Sequence, residues 1–380
     1  MVVAGEAEVG SGPTWSLAEG EGEARPADGG RDLPDATDVV PVEAVRGWTE
    51  ARPPQAIVPP TAPEGLDFGA LVRLAPPAGA GWRRAVRVAS LGLLRLGPGA
   101  EERRRRELVG LARTPVQGRA ALVAVVSAKG GVGKTTVTGL LASELGRLRH
   151  DRVLAVDANS QRGNLAARMV VGESHLTTRE VARDAERLMC HADLRKYTSQ
   201  DPEARLEVLA APLDPAAPEG LSEDECARLL EVLCRYYNVL VADVGTALLD
   251  GATRLLLSRC ELAVVVAGPS SDGAQMAAHT LDWLVVRRGG DFVREATAVV
   301  VNGVRRRGPR DLDLDRMGAW FRRRAGACLE IAWDRHLAAG GPLDWARIAP
   351  AVRDGYLELA AWVGAGFRIF QTAEAGGGHA

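Results

Sequence analysis

From about Arg119 onward, short β-branched apolar runs alternate with longer stretches of helical periodicity. The runs at 121–127, 152–157, 205–210, 238–243, 261–267, 296–302 and 328–332 predict strands. Several, such as Ala121-Leu122-Val123-Ala124-Val125-Val126, are apolar at every position, as strands buried on both faces are. The segments 134–148, 223–236, 251–258, 273–286, 312–325 and 351–370 predict helices. Such alternation implies right-handed crossovers and an α/β fold with a mostly parallel sheet covered on both faces. This folded domain is expected over 119–372, with a short disordered tail at 373–380.

The first 80 residues carry no sustained period and are rich in Gly, Pro, Ala and acids, so they predict a disordered tail. Charge sharpens that boundary. The net charge of −2 conceals thirteen acids against four bases in residues 1–70, followed by an Arg-rich linker or adapter at 81–118. Its amphipathic stretch at 81–95 and its arginine run Arg103 to Arg106 fit either solvated adapter helices or a patch for acidic lipid, nucleic acid or the chain's own tail. The 46% hydrophobic content suffices for a sizeable core. Five cysteines without CxxC spacing argue against zinc or a disulfide framework and for a reducing, cytoplasmic setting. No apolar run is long enough to span a membrane.

Only three lysines accompany forty-four arginines, and two of them sit five residues apart in Lys129-Gly130-Gly131-Val132-Gly133-Lys134-Thr135-Thr136. The run lies between a predicted strand and a predicted helix, the setting a phosphate-binding loop requires. Gly130, Gly131 and Gly133 let the backbone curl so that N–H groups, with the helix dipole behind them, point at phosphate oxygens. Lys134 would neutralise the β and γ phosphates of ATP, and the Thr135 hydroxyl would ligate Mg²⁺. Against the general pattern GxxxxGK[ST], Ala128 replaces the first glycine and Lys129 is one cation too many. Asp157 and Asp243 end predicted strands, where the ligand crevice of a parallel sheet lies. Asp243 is expected to hold a Mg²⁺-bound water and Asp157 to serve catalysis or the metal. A strand-terminating turn is the alternative for either.

This loop resembles the deviant Walker A box of the MinD/ParA ATPases, P-loop NTPases of the SIMIBI type. The resemblance implies an ATP-dependent sandwich homodimer, with Lys129 reaching into the partner's site. In such relatives a second acid usually follows the strand-end Asp, and here Asn159 stands in its place. An amide orients water but does not take its proton, so slow hydrolysis is expected. The resemblance also assigns adenine contact to Asn302 and, near the segment closing over the purine, to Asp334. Further segments, among them Gly81-Trp82-Arg83-Arg84, Thr280-Leu281-Asp282-Trp283-Leu284 and Asp334-Arg335-His336-Leu337, resemble the EspI-like ATPases of actinobacterial type VII secretion clusters. That similarity, over about 80–370, implies a regulator of secretion or growth whose tail meets protein partners.

Two other readings stand beside it. A ParA-type partition ATPase would bind DNA without sequence preference, with Arg305-Arg306-Arg307 and Arg322-Arg323-Arg324 as candidates. A non-hydrolysing, nucleotide-gated scaffold would keep the loop and lose catalysis. The segment 359–370 invites comparison with a MinD-type membrane anchor, but its single arginine favours a helix that completes the core.

Overall fold

A computed structural model of the chain describes residues 99–159, 163–169, 174, 176–212, 220–305 and 312–376, and side chains to residue 368. The expected tail at 1–80, the amphipathic stretch at 81–95, Arg306 and Arg307 lie outside these residues. The first helix, α1 (Ala100–Ala112), precedes β1 (Ala121–Val126), the phosphate loop and α2 (Lys134–Leu148). Then come β2 (Val153–Ala158), the short helices α3 (Leu165–Arg168), α4 (Thr178–Arg183) and α5 (His191–Leu194), β3 (Ser199–Asp201) and β4 (Leu206–Leu209). The pattern continues through α6 (Glu223–Tyr236), β5 (Val239–Val244), α7 (Gly251–Arg259), β6 (Leu262–Ala267), α8 (Ser271–Arg288) and α9 (Gly290–Ala296). It closes with β7 (Thr297–Val304), α10 (Leu314–Arg322), β8 (Ala327–Ala332), α11 (Arg335–Ala338) and α12 (Pro350–Gly376).

Eight strands form one sheet in the order β3-β4-β2-β5-β1-β6-β7-β8. All described pairings are parallel except β3 with β4. The seven expected strands are present within a residue or two. β3 was not expected: Ser199-Gln200-Asp201 is polar and three residues long, because an edge strand has only one neighbour to pack against. Strand pleating sends alternate residues of β1 to opposite sides. Leu122, Ala124 and Val126 join one apolar core, which includes buried residues of α6, α7 and α8. Ala121, Val123 and Val125 join the other, with Leu140, Leu141 and Leu145 of α2 and Leu359, Val363 and Phe367 of α12. The segment at 359–370 thus packs inward through its described side chains, as its single arginine suggested. The C-terminal helix runs to Gly376, six residues past its expected end.

The arginine run of α1 has intramolecular partners. Arg104 and Arg105 each approach an acid of α12, Glu358 and Asp354, at 2.6 Å, and Arg106 pairs with Glu102 one turn away. Between the two helices, Gly364 lies so close to the backbone of Leu111 and Ala112 that a β-carbon would collide with it. Below them, buried Arg149 donates to the carbonyls of Ala112 and Thr114 at 2.9 and 2.8 Å and pairs with Asp151. Its guanidinium sits 5.3 Å from the centroid of the Phe367 ring. One cation therefore ties the exit of α1 to the end of α2 and to α12.

Candidate functional site

β1 lies between β5 and β6, so its carboxyl end opens where strand order diverges, the usual ligand crevice of an open α/β sheet. The loop from Ser127 to Gly133 turns there into α2. Gly131 and Gly133 have φ of 75° and 91°, a left-handed backbone that glycine adopts without strain. Gly133 is also the N-cap of α2, and a β-carbon on it would run into the Asn302 amide. The loop borders an open cavity of about 810 Å³, within the range of small-ligand sites. Lys129 to Thr136, Asn159, Arg168, Thr246, Asn302, Trp333 and Asp334 all line it.

The two lysines have different surroundings. Lys134 is 8% exposed at the first position of α2. Lys129 sits at the rim with its side chain 35% exposed, and its ammonium bonds to Asp272 in the first turn of α8. Thr135 Oγ1 donates to Asp243 Oδ2 at 2.5 Å. Asp243 is fully buried, and its second oxygen has no hydrogen-bond partner among the described residues. A buried acceptor left over beside a loop threonine fits a Mg²⁺ site, because a metal-bound water would supply the missing donor.

Asp157 stands directly across from Asp243 in the β2–β5 register. Burial first, and the Asp243 charge second, push the Asp157 carboxyl well above the usual range, while burial likewise raises Asp243. The geometry gives Asp157 a structural part beside the expected metal or catalytic one. Its two oxygens accept backbone N–H groups of Asn159 at 3.2 Å and Leu165 at 2.9 Å, so it organises the turn that presents Asn159 and starts α3. Asn159 lines the cavity.

The residues expected on the base side also have structural partners. Asp334 accepts from His336 and Leu337 with one oxygen and from Ala349 with the other, at 2.7, 3.1 and 2.9 Å. With both oxygens on backbone, it caps α11 and shapes the cavity wall. These bonds hold its carboxyl below the usual range against the opposing effect of burial. Asn302 donates to the Val132 carbonyl at 2.9 Å, which buttresses the phosphate loop. Two residues went unread in the sequence. Trp333 lines the cavity 4.0 Å under the Arg305 guanidinium, and Arg168 reaches it from α3. One arginine among forty-four and one tryptophan among eight carry no spacing signal.

The arginine clusters offered for DNA are partly engaged. Arg305 stacks on Trp333, and Arg324 bonds to Asp282 and lies 4.7 Å from the Trp320 ring centroid. All five cysteines are free, and no described helix is long and apolar enough to cross a membrane.

Comparison with known proteins agrees with this geometry. Residues 123–323 match the family model described as the CobQ/CobB/MinD/ParA nucleotide binding domain. The ESX-1 secretion-associated protein EspI of Mycobacterium tuberculosis is 36% identical over 282 residues, which is 74% of this chain and 41% of that protein. The chain thus spans about two fifths of the length of the curated relatives it matches. Among solved structures, a ParA family ATPase from Chlorobium tepidum aligns with TM-score 0.52 and 16% identity over 63% of this chain and 97% of that one. The cell division ATPase MinD of Pyrococcus furiosus aligns with TM-score 0.50 and 20% identity over 64% and 98%. These two likenesses speak to the fold, whereas the family match spans the phosphate loop and the strands from β2 to β7. The chain belongs to the CobQ/CobB/MinD/ParA nucleotide-binding family, with EspI among its relatives.

Proposed function

We propose that this protein is a cytoplasmic ATPase of slow turnover that uses ATP and Mg²⁺ as a dimerisation switch in the regulation of type VII secretion. The observation that carries the reading is the unequal placement of its two loop lysines. Lys134, buried at the head of α2, serves the phosphates of its own site. Lys129, at the rim, has its ammonium engaged only by an exposed aspartate in the described contacts, and on this reading it exchanges that partner for the phosphate of a second copy. ATP then stabilises the dimer by mass action, and hydrolysis withdraws the contribution.

Thr135 and, through a water, Asp243 would hold Mg²⁺, which would supply positive charge to the phosphates. The chain's residues do the remainder. Loop amides and Lys134 hold the phosphates, Asp157 fixes the turn, and Asn159 orients water without accepting its proton. That last feature supports slow hydrolysis. The secretion context comes from EspI, described as ESX-1 secretion-associated, and partner recruitment falls to the acidic residues 1–80.

Sizing the wild type, Lys134→Ala and Lys129→Ala in ATP and in ADP tests the proposal. Lys134→Ala should lose nucleotide, and Lys129→Ala should keep nucleotide but fail to dimerise. An ATP-dependent dimer that survives Lys129→Ala overturns the switch.

A further inference from the structure

Arg168 is 7% exposed, yet no described carboxylate lies within ion-pair distance of it. Arg149, equally buried, has Asp151, and Lys129 has Asp272. A buried cation without a counter-ion is costly, so its environment should supply negative charge from elsewhere. Burial indeed holds the guanidinium below its ordinary basicity, and the Tyr356 hydroxyl is the one group acting the other way.

Its hydrogen bonds indicate where that charge belongs. One terminal nitrogen donates to Thr136 Oγ1 at 2.9 Å and the other to the Gly341 carbonyl at 2.7 Å. Thr136 is the third residue of α2, in the turn whose N–H groups have no partner within the helix. With Oγ1 accepting from Arg168, the Thr136 hydroxyl hydrogen is left to donate into the cavity. Meanwhile the Arg168 carbonyl accepts from Leu343 at 2.6 Å, so the same residue anchors the 340–343 segment on the opposite wall.

We infer that Arg168 is a second intramolecular cation of the nucleotide site, serving the α-phosphate together with Thr136 while it straps the 340–343 segment to the phosphate loop. This rests on the nucleotide reading above and extends it. Lys134 is committed to the β and γ positions and the loop amides to the α and β positions, so the α-phosphate is the one that a further cation beside the loop would neutralise. ATP and ADP share that phosphate. Arg168 therefore sets how tightly either is held and leaves discrimination between them to groups that reach the γ position.

Titration calorimetry on the full chain with ATP, ADP, the two α-thio diastereomers of ADP and β-thio-ADP provides the test. Arg168→Gln should weaken ATP and ADP together by roughly 10- to 100-fold, the loss of one charge-assisted contact. It should also erase the wild-type preference between the α-thio diastereomers and leave the β-thio effect unchanged. Unchanged ADP affinity, or weakened affinity with the α-thio preference intact, overturns the inference, the latter reducing Arg168 to a strap. Should Arg168→Gln fail to fold, Arg168→Lys decides: intermediate affinity with a reduced α-thio preference supports the inference, and wild-type preference refutes it. A wild type that binds neither ATP nor ADP refutes the nucleotide reading itself.

Discussion

Replacing Asp272 with Asn should make ATP-dependent dimerisation tighter. The ammonium of Lys129 bonds to Asp272, and their side chains are 35% and 65% exposed. Such solvated pairs contribute about 0–1 kcal/mol, and Asn keeps the size of the side chain while removing its charge. A two-fold dimer must open this contact twice, so release of both lysines is worth up to about 2 kcal/mol, or up to roughly 30-fold in the dimer dissociation constant. Sedimentation velocity in ATP and in ADP measures it, with ATP affinity of the monomer as the control expected not to move. Added salt screens the pair and should shrink the difference between Asp272→Asn and wild type. The double variant with Lys129→Ala should show no gain, because the aspartate acts only through that lysine. A gain that persists in the double variant, or no gain at low salt, refutes the reasoning.

Two further outcomes concern the packing behind the site. Glu144 of α2 is buried, and burial raises its carboxyl to about 7 despite Arg105, Arg147 and Arg353, with Asp354 adding to the rise. A raised folded-state value means that the group's contribution is fully present below its unfolded value near 4.5 and is lost as pH rises through about 7. Glu144→Gln should accordingly exceed wild type by on the order of 1–3 kcal/mol at about pH 8, with the gap closing towards about pH 4 in chemical denaturation. A gap that is constant with pH would contradict this. Gly364→Ala should lower stability by about 1–3 kcal/mol, because its β-carbon meets backbone, which cannot rotate away. Hydrogen exchange should quicken across Ala100–Ala112 while nucleotide affinity holds, and unchanged protection there would show that α1 is not held by this contact.

Much of the architecture was readable because the buried strands are apolar without interruption and the glycine loop sits between one of them and a helix. What escaped is polar and depends on distant partners. Ser199-Gln200-Asp201 looks like loop until β4 is placed beside it. Asp157 draws a chemical reading from its strand-end position and Asp334 from resemblance, and neither signal reveals the amides of Leu165 and Ala349 from which their oxygens accept. Asp243 is easier to place from sequence, since its hydrogen-bond neighbour Thr135 belongs to the loop that the sequence already marks. The arginine run of α1 could not be resolved from local pattern, as the partners of Arg104 and Arg105 lie some 250 positions away on α12. Arg168 shows the same limit, for its importance lies in the acid that is missing around it.

The scarcity of lysine gives the molecule a native reporter. Among its side chains, amine-directed acylating reagents have three addresses: Lys134 sheltered in the loop, Lys129 half-open at the rim and Lys196 73% exposed just after α5. Lys196 becomes an internal standard, and the labelling ratio of Lys129 to Lys196, read by peptide mass, follows the state of the rim without any tag or substitution.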